Sequence, residues 1–237
     1  MTQTARKTGF DTDRAQAFAG RFLNALNEGA LCLMVSIGHR TGLFDALHGR
    51  SPATSAEIAT AAGLQERYVR EWLGALVTAG VMEFDPATQR YWLPDEHAAS
   101  LTRAAAADNM AVFAQYIGVL GSVEDDIVAC FERGGGVSYE HYPRFHEVMA
   151  EDSGQSVLSS LDSHILPLVP GLTARLERGI EVLDLGCGRG RILQYLAARY
   201  PRSRFTGIDL STEAIAHARA ESARQGLRNI SFIAQDL

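Results

Sequence analysis

The sequence predicts an α/β protein: a mostly helical N-terminal region, then a β-α-β-α-β unit, the first half of a doubly wound parallel sheet. Two observations carry this. Apolar residues recur at helical spacing through most of the first 178 residues. After that point short β-branched runs alternate with helical stretches, joined by connections of a few residues. The chain has 237 residues, 46% hydrophobic and 21% charged, which allows a sizeable core and is unlike a disordered chain.

The first element is a long helix. Phe18, Phe22, Leu26, Leu33 and Ile37 share one face, and Gly42 ends it. Leu43, Phe44 and Leu47 continue as a short apolar piece. Thr54-Ser55-Ala56-Glu57 reads as a capping box opening a helix that stops at Gly63. Val69, Trp72, Leu73, Leu76 and Val77 mark the next helix, closed by Gly80. Val81–Phe84 and Tyr91–Leu93 flank the turn-prone Asp85-Pro86-Ala87-Thr88, which predicts a hairpin. Helix, turn, helix and hairpin is the winged-helix order.

From about 108 to 178 further helices are expected. Phe113, Ile117, Leu120, Ile127 and Phe131 form an apolar stripe that Gly134-Gly135-Gly136 breaks, and the aromatic cluster Tyr139, Tyr142 and Phe145 follows. The triple glycine is not a phosphate loop, because no Gly-Lys-Ser/Thr follows; a hinge is the better reading. The final stretch gives a strand at 180–185, a helix carrying Ile192, Leu193 and Leu196, and a strand at 205–209. A helix capped by Ser211 and ending at Gly226 comes next, then a strand at 230–233.

Chemistry concentrates in Asp184-Leu185-Gly186-Cys187-Gly188-Arg189-Gly190, where a strand becomes a helix. Glycines there let the backbone turn tightly and lie close to a ligand. A dinucleotide fingerprint needs glycine at 191, where Arg191 stands, so NAD binding is disfavoured. Asp184, Asp209 and Asp236 each fall at or just past the carboxyl end of a successive strand, the rim where open α/β sheets bind ligands. Three carboxylates repel a pyrophosphate and suit a ligand rich in donors and positive charge. Helix N-capping would account for Asp184 or Asp209 singly.

On these residues the sequence resembles the class I S-adenosylmethionine (SAM)-dependent methyltransferases. Asp184, Gly186, Cys187, Gly188 and Gly190 look like the motif that wraps the methionine part of SAM. Asp209, 19 residues after Gly190 and followed by Leu210, matches the acidic residue that takes the ribose hydroxyls. Gln235-Asp236 matches the pair at the adenine amino group. The upstream layout is similar to that of small-molecule O-methyltransferases. The resemblance implies a helical winged-helix, dimerisation-type domain at 1–104, connecting helices at 105–178 that contribute to an active-site lid, and a SAM-binding Rossmann-like domain at 179–237. It also implies a small-molecule methyl acceptor and a homodimer. In the family, aromatic and methionine side chains before the catalytic domain close over SAM; Phe145 and Met149 match that role and equally fit ordinary helix core. The family's base, where used, follows a fourth strand, so no catalytic residue is named. The family's sheet has seven strands against three expected here. The chain is therefore expected to be a fragment of a protein of roughly 330–370 residues, inactive alone.

Other chemistries fit less well. His146-Glu147 lacks the second histidine of a zincin, since residue 150 is Ala150, and no metal site is expected. Cys32, Cys130 and Cys187 are 98 and 57 residues apart, neither a metal set nor a complete disulfide framework, so a cytoplasmic location is expected. The longest apolar run, Ala30–Ile37, falls far short of the ~20 residues of a membrane span. The rival function is a winged-helix DNA-binding transcription regulator. Residues 51–101 hold three arginines against seven carboxylates and net charge is −6, so nucleic acid is not the expected partner.

Overall fold

The computed structural model describes residues 9–236. Helix α1 (Thr12–Thr41) starts where the Asp11 carboxylate accepts the Arg14 N–H, and ends at Gly42 in the left-handed conformation. Its buried side is not the predicted stripe. Leu31, Met34 and Val35 meet the core, while Phe18, Phe22 and Leu26 face outward, Phe18 at 57% exposure. The cause is α2 (Leu43–Leu47) and α4 (Glu66–Thr78). The Phe44 and Trp72 rings sit so close to Gly38 that a Cβ there would lie within 2.7 Å of both. The Trp72 indole N–H donates to the Met34 carbonyl at 2.8 Å, locking that side of α1 inward.

The N-terminal core is built on α2, α3 (Ser55–Ala62) and α4: Leu43, Phe44, Leu47, Ile58, Leu73 and Leu76 are all buried. Burying each such side chain contributes about 1.5–3 kcal/mol. The capping box at Thr54 and Glu57 is present in both directions. Strands β1 (Glu83–Asp85) and β2 (Arg90–Trp92) pair antiparallel, and the Asp85 carboxylate accepts the Ala87 N–H and the Thr88 hydroxyl in the turn.

Helix α5 (Asp95–Leu101) and a 3₁₀ turn (Arg103–Asp108) lead to α6 (Ala111–Gly121), which packs along α1. The stripe from Phe113 to Phe131 is divided between α6 and α7 (Glu124–Arg133), with a break at Ser122–Val123, and it points outward; Phe131 is 88% exposed. Helix α8 (Phe145–Ser156) follows the aromatic cluster, where the Tyr139 and Phe145 rings stack 5.1 Å apart.

After α9 (Leu172–Arg178) come β3 (Glu181–Leu185), α10 (Arg191–Arg199), β4 (Arg204–Asp209), α11 (Thr212–Arg224) and β5 (Ile230–Ala234). The sheet is parallel in the order β3-β4-β5, with Asp184 opposite Gly207 and Asp209 opposite Ala234. Leu193, Leu196, Phe205, Ile215 and Phe232 form a second core between sheet and helices. Leu183 and Leu185 on β3 remain exposed.

Candidate functional site

The turn after β3 is held to β4. The Gly186 and Cys187 N–H groups both donate to the Ile208 carbonyl, at 2.8 and 3.1 Å. The Asp209 carboxylate accepts the Gly188 N–H at 2.7 Å on one oxygen and the Ser211 N–H at 2.8 Å on the other. Ser211, not Asp209, caps α11, accepting the Ala214 N–H at 3.1 Å. Asp209 therefore braces two strand-end turns, and each oxygen keeps acceptor capacity for a further donor.

Asp184 lies beside it. Burial, and then the charge of Asp209, raise the Asp184 carboxyl above the ordinary aspartate value. Among the described residues no cationic side chain forms an ion pair with either aspartate. Burial and the same two carboxylates push the Cys187 thiol up to about 12, so it is protonated at neutral pH and is no nucleophile.

The glycines of the turn do different jobs. Gly186 and Gly188 have positive φ and open space where a Cβ would stand. Gly190 also has positive φ, but its Cβ would lie 2.4 Å from the Phe232 ring, so it serves close packing of helix on strand. Gly207 in β4 is constrained likewise, by the Cys187 sulfur and Phe232, each at 2.7 Å.

Helix α8 covers this turn. A cleft of about 170 Å³ separates Asp184 and the glycines from His146, Met149 and Ser153. A cavity of about 570 Å³ adjoins it, lined by Tyr139, Tyr142, Phe145 and Leu210. Val148 is the core residue of α8, while Met149 and Phe145 turn toward these spaces. Arg189 borders both spaces, with its guanidinium on Glu213 at 2.6 Å.

The structure thus places Asp184, Gly186, Cys187, Gly188, Gly190 and Asp209 in one cluster, with Leu210 exposed beside it. Gln235 continues the ladder through its N–H to the Asp209 carbonyl at 2.9 Å, and Asp236 follows just past β5. Gly207 was not singled out by the sequence, and Arg189 and His146 entered there only as parts of motifs, with no role at the site. A glycine inside a strand was the available signal for Gly207. Among the described residues no cluster of histidine, cysteine and carboxylates could hold a metal, and no helix is long and apolar enough to cross a membrane.

Comparison with known proteins agrees with this architecture. Residues 29–103 match the Rv2258c-like winged HTH domain and residues 176–237 match a methyltransferase domain. The malonyl-[acyl-carrier protein] O-methyltransferase of Bacillus anthracis is 31% identical over 101 residues, 43% of this chain and 32% of its own. The trans-aconitate 2-methyltransferase of Paracidovorax citrulli is 40% identical over 62 residues, 26% of this chain and 22% of its own. The chain spans about a third or less of the length of these curated relatives. Among solved structures, the mitomycin 7-O-methyltransferase MmcR superposes with a TM-score of 0.59 at 20% identity, covering 94% of this chain and 68% of that one. Human N-acetylserotonin methyltransferase, solved in complex with SAM, gives 0.54 at 18% identity, covering 98% and 68%. The chain carries a winged HTH domain over residues 29–103 followed by a methyltransferase domain over residues 176–237.

Proposed function

We propose that this chain binds SAM at the ends of β3, β4 and β5 and transfers its methyl group to a small molecule. One observation carries the reading: two left-handed, unobstructed glycines lie beside the carboxylates Asp184 and Asp209, which form no ion pair among the described residues. That combination fits a ligand that brings positive charge and hydroxyl donors, and SAM has both. Asp209 would accept the ribose hydroxyls, and the turn from Gly186 to Gly190, with Asp184, would hold the amino-acid arm. Leu210 would flank the nucleoside, and Gln235-Asp236 would meet the adenine amino group. Cys187 stays protonated and contributes its small size beside Gly207.

When bound, SAM supplies an electrophilic methyl group on a sulfonium. The protein's own part is to orient the reactants and exclude water. Met149 and His146 on α8 support the second role, since they border the cleft from the side opposite the glycines, and Phe145 borders the adjoining cavity. The division proposed is a winged-helix region to residue 104, connecting and lid helices to 178, and the SAM-binding unit from 179.

Two further parts belong to this reading. The outward faces of α1 and α6, carrying Phe18, Phe22, Leu26, Ile117 and Leu120, support a homodimer through the N-terminal region. Light scattering should give twice the chain mass at tens of micromolar; a monomer there removes the claim. Three free, scattered cysteines support a cytoplasmic setting. The winged-helix match also favours one second reading, DNA binding. Its exposed α4 face mixes signs, with Arg70 paired to Glu66 at 3.6 Å, and a basic face is what DNA requires. A gel shift with random duplex at low salt should show no complex.

Titration calorimetry tests the main reading. SAM should bind and NADH should not. NADH binding with no SAM signal would reverse the assignment.

A further inference from the structure

A chain of polar side chains, anchored on buried His39 and Gln115, runs from the N-terminal region into α8, away from the aspartates. The His39 ring on α1 has a side chain only 1% exposed, and its Nε2 lies 2.8 Å from Glu151 Oε1. The other oxygen of Glu151 accepts the Gln115 amide of α6 at 2.8 Å. The Gln115 carbonyl in turn accepts the Arg144 guanidinium at 2.9 Å. Arg103, bound to Asp45, approaches Glu151 Oε1 at 3.5 Å.

The directions of the Gln115 links are fixed. Arginine only donates, so the Gln115 oxygen must face Arg144 and its NH₂ must face Glu151. Both carboxylate oxygens of Glu151 are then engaged, one accepting from Gln115 and the other accepting from His39 in the tautomer with the proton on Nε2, a nitrogen that Arg103 also approaches at 3.4 Å. The His39 hydrogen bond, with Gln115 and Arg103 adding to it, holds the Glu151 carboxyl at about 2, well below its ordinary value.

The opposite side of α8 meets the glycine turn. Met149, Ala150 and Ser153 border the cleft, and the Ala150 carbonyl accepts the guanidinium of Arg191, the first residue of α10, at 2.8 Å. Gly154 leaves room for that guanidinium, which would lie 2.5 Å from a Cβ there. The Tyr116 hydroxyl of α6 donates to Asp152 at 3.0 Å and lies 2.9 Å from the Met149 sulfur. Helix α8 is thus pinned to the N-terminal region by Glu151 and to the methyltransferase unit by Ala150.

We propose that Glu151 is a positioning residue: through His39 and Gln115 it sets α8, and with it Met149 and His146, over the glycine turn in the arrangement that binds SAM. The proposal rests on the SAM reading above. A loosened α8 leaves fewer molecules in the competent arrangement, and apparent affinity falls by that fraction.

The test is SAM titration together with amide hydrogen exchange across residues 145–156, in the full-length protein well below its melting temperature. Glu151→Gln removes the charge that Arg103 and His39 face, and it keeps the Gln115 link only by turning an NH₂ toward Nε2 of His39, which must then give up its proton there. It should weaken SAM binding about three- to thirtyfold and speed exchange in α8. The double variant Gln115→Glu with Glu151→Gln reverses the inner link and satisfies every donor again. It should restore both affinity and protection. If Glu151→Gln does not fold, Arg144→Ala, which cuts the chain at its exposed end, should show the same two changes. A variant that melts earlier but binds SAM as the wild type does, or a swap that restores neither property, overturns the proposal. If the wild type fails to bind SAM, the functional reading falls by itself, and ligand-free exchange in α8 still decides whether Glu151 fixes that helix.

Discussion

Carboxylates on the N-terminal side of the molecule are satisfied from within the chain. Thr54 and Arg90 hold Glu57 below its ordinary value, and Thr88 and Ala87 do the same for Asp85. Glu151, where α8 meets the N-terminal helices, is held down chiefly by His39. At the ends of β3 and β4 the direction reverses: Asp184 is raised, by burial and by Asp209. The first group was spent on caps, turns and interfaces during folding. Asp184 forms no ion pair among the described residues, and that difference supports the ligand site proposed above. The glycines divide in the same way. Gly42 and Gly63 terminate helices, whereas Gly186 and Gly188 open a floor beside acidic groups.

The contrast can be broken or sharpened by substitution. The largest effect on stability is expected from Leu73→Ala, because Leu73 is fully buried at the centre of the N-terminal core. Denaturant unfolding should show a loss of about 2–5 kcal/mol, with SAM affinity of the folded protein unchanged. Asp209→Ala should do the converse. Calorimetry should show about 2–4 kcal/mol less SAM binding, since hydrogen bonds to a charged acceptor are lost, with a smaller effect on stability than Leu73→Ala. If both variants lose stability and ligand in parallel, the two regions are not separable as argued.

The pH dependence has a definite sign for Glu151. Its folded value, about 2, lies below the ordinary 4.5. Its contribution is therefore complete above 4.5 and is lost as pH falls toward 2. Thermal melts across that window should fall less steeply for Glu151→Gln than for the wild type. The smallest effect is expected from Thr54→Ala, which removes the cap of α3 at about 1 kcal/mol, read by the same melts, and leaves SAM binding untouched.

Much of this was legible in the sequence. Helix ends at Gly42 and Gly63, the capping box, the hairpin and the order of the last five elements follow from local patterns, and those patterns act over a few residues. What was not legible depends on distant partners. In α1 two sets of residues have helical spacing, Phe18–Phe22–Leu26 and Leu31–Met34–Val35. Only the placement of Phe44 and Trp72 decides which turns inward. His39 and Glu151 meet across 112 residues with no local sign of it. At the site, the motif residues could be aligned in register, but not the side of α8 that faces them. The side of α8 that meets the turn is set by buried Val148 and by the polar chain ending at Glu151.

A crystal structure of the protein with S-adenosylhomocysteine should show ribose hydroxyls on Asp209 and the amino-acid arm along Gly186–Gly190 beneath Met149. Density for the ligand in the separate cleft of about 730 Å³ bordered by Tyr195, His217 and Glu221, with the glycine turn empty, would contradict that placement.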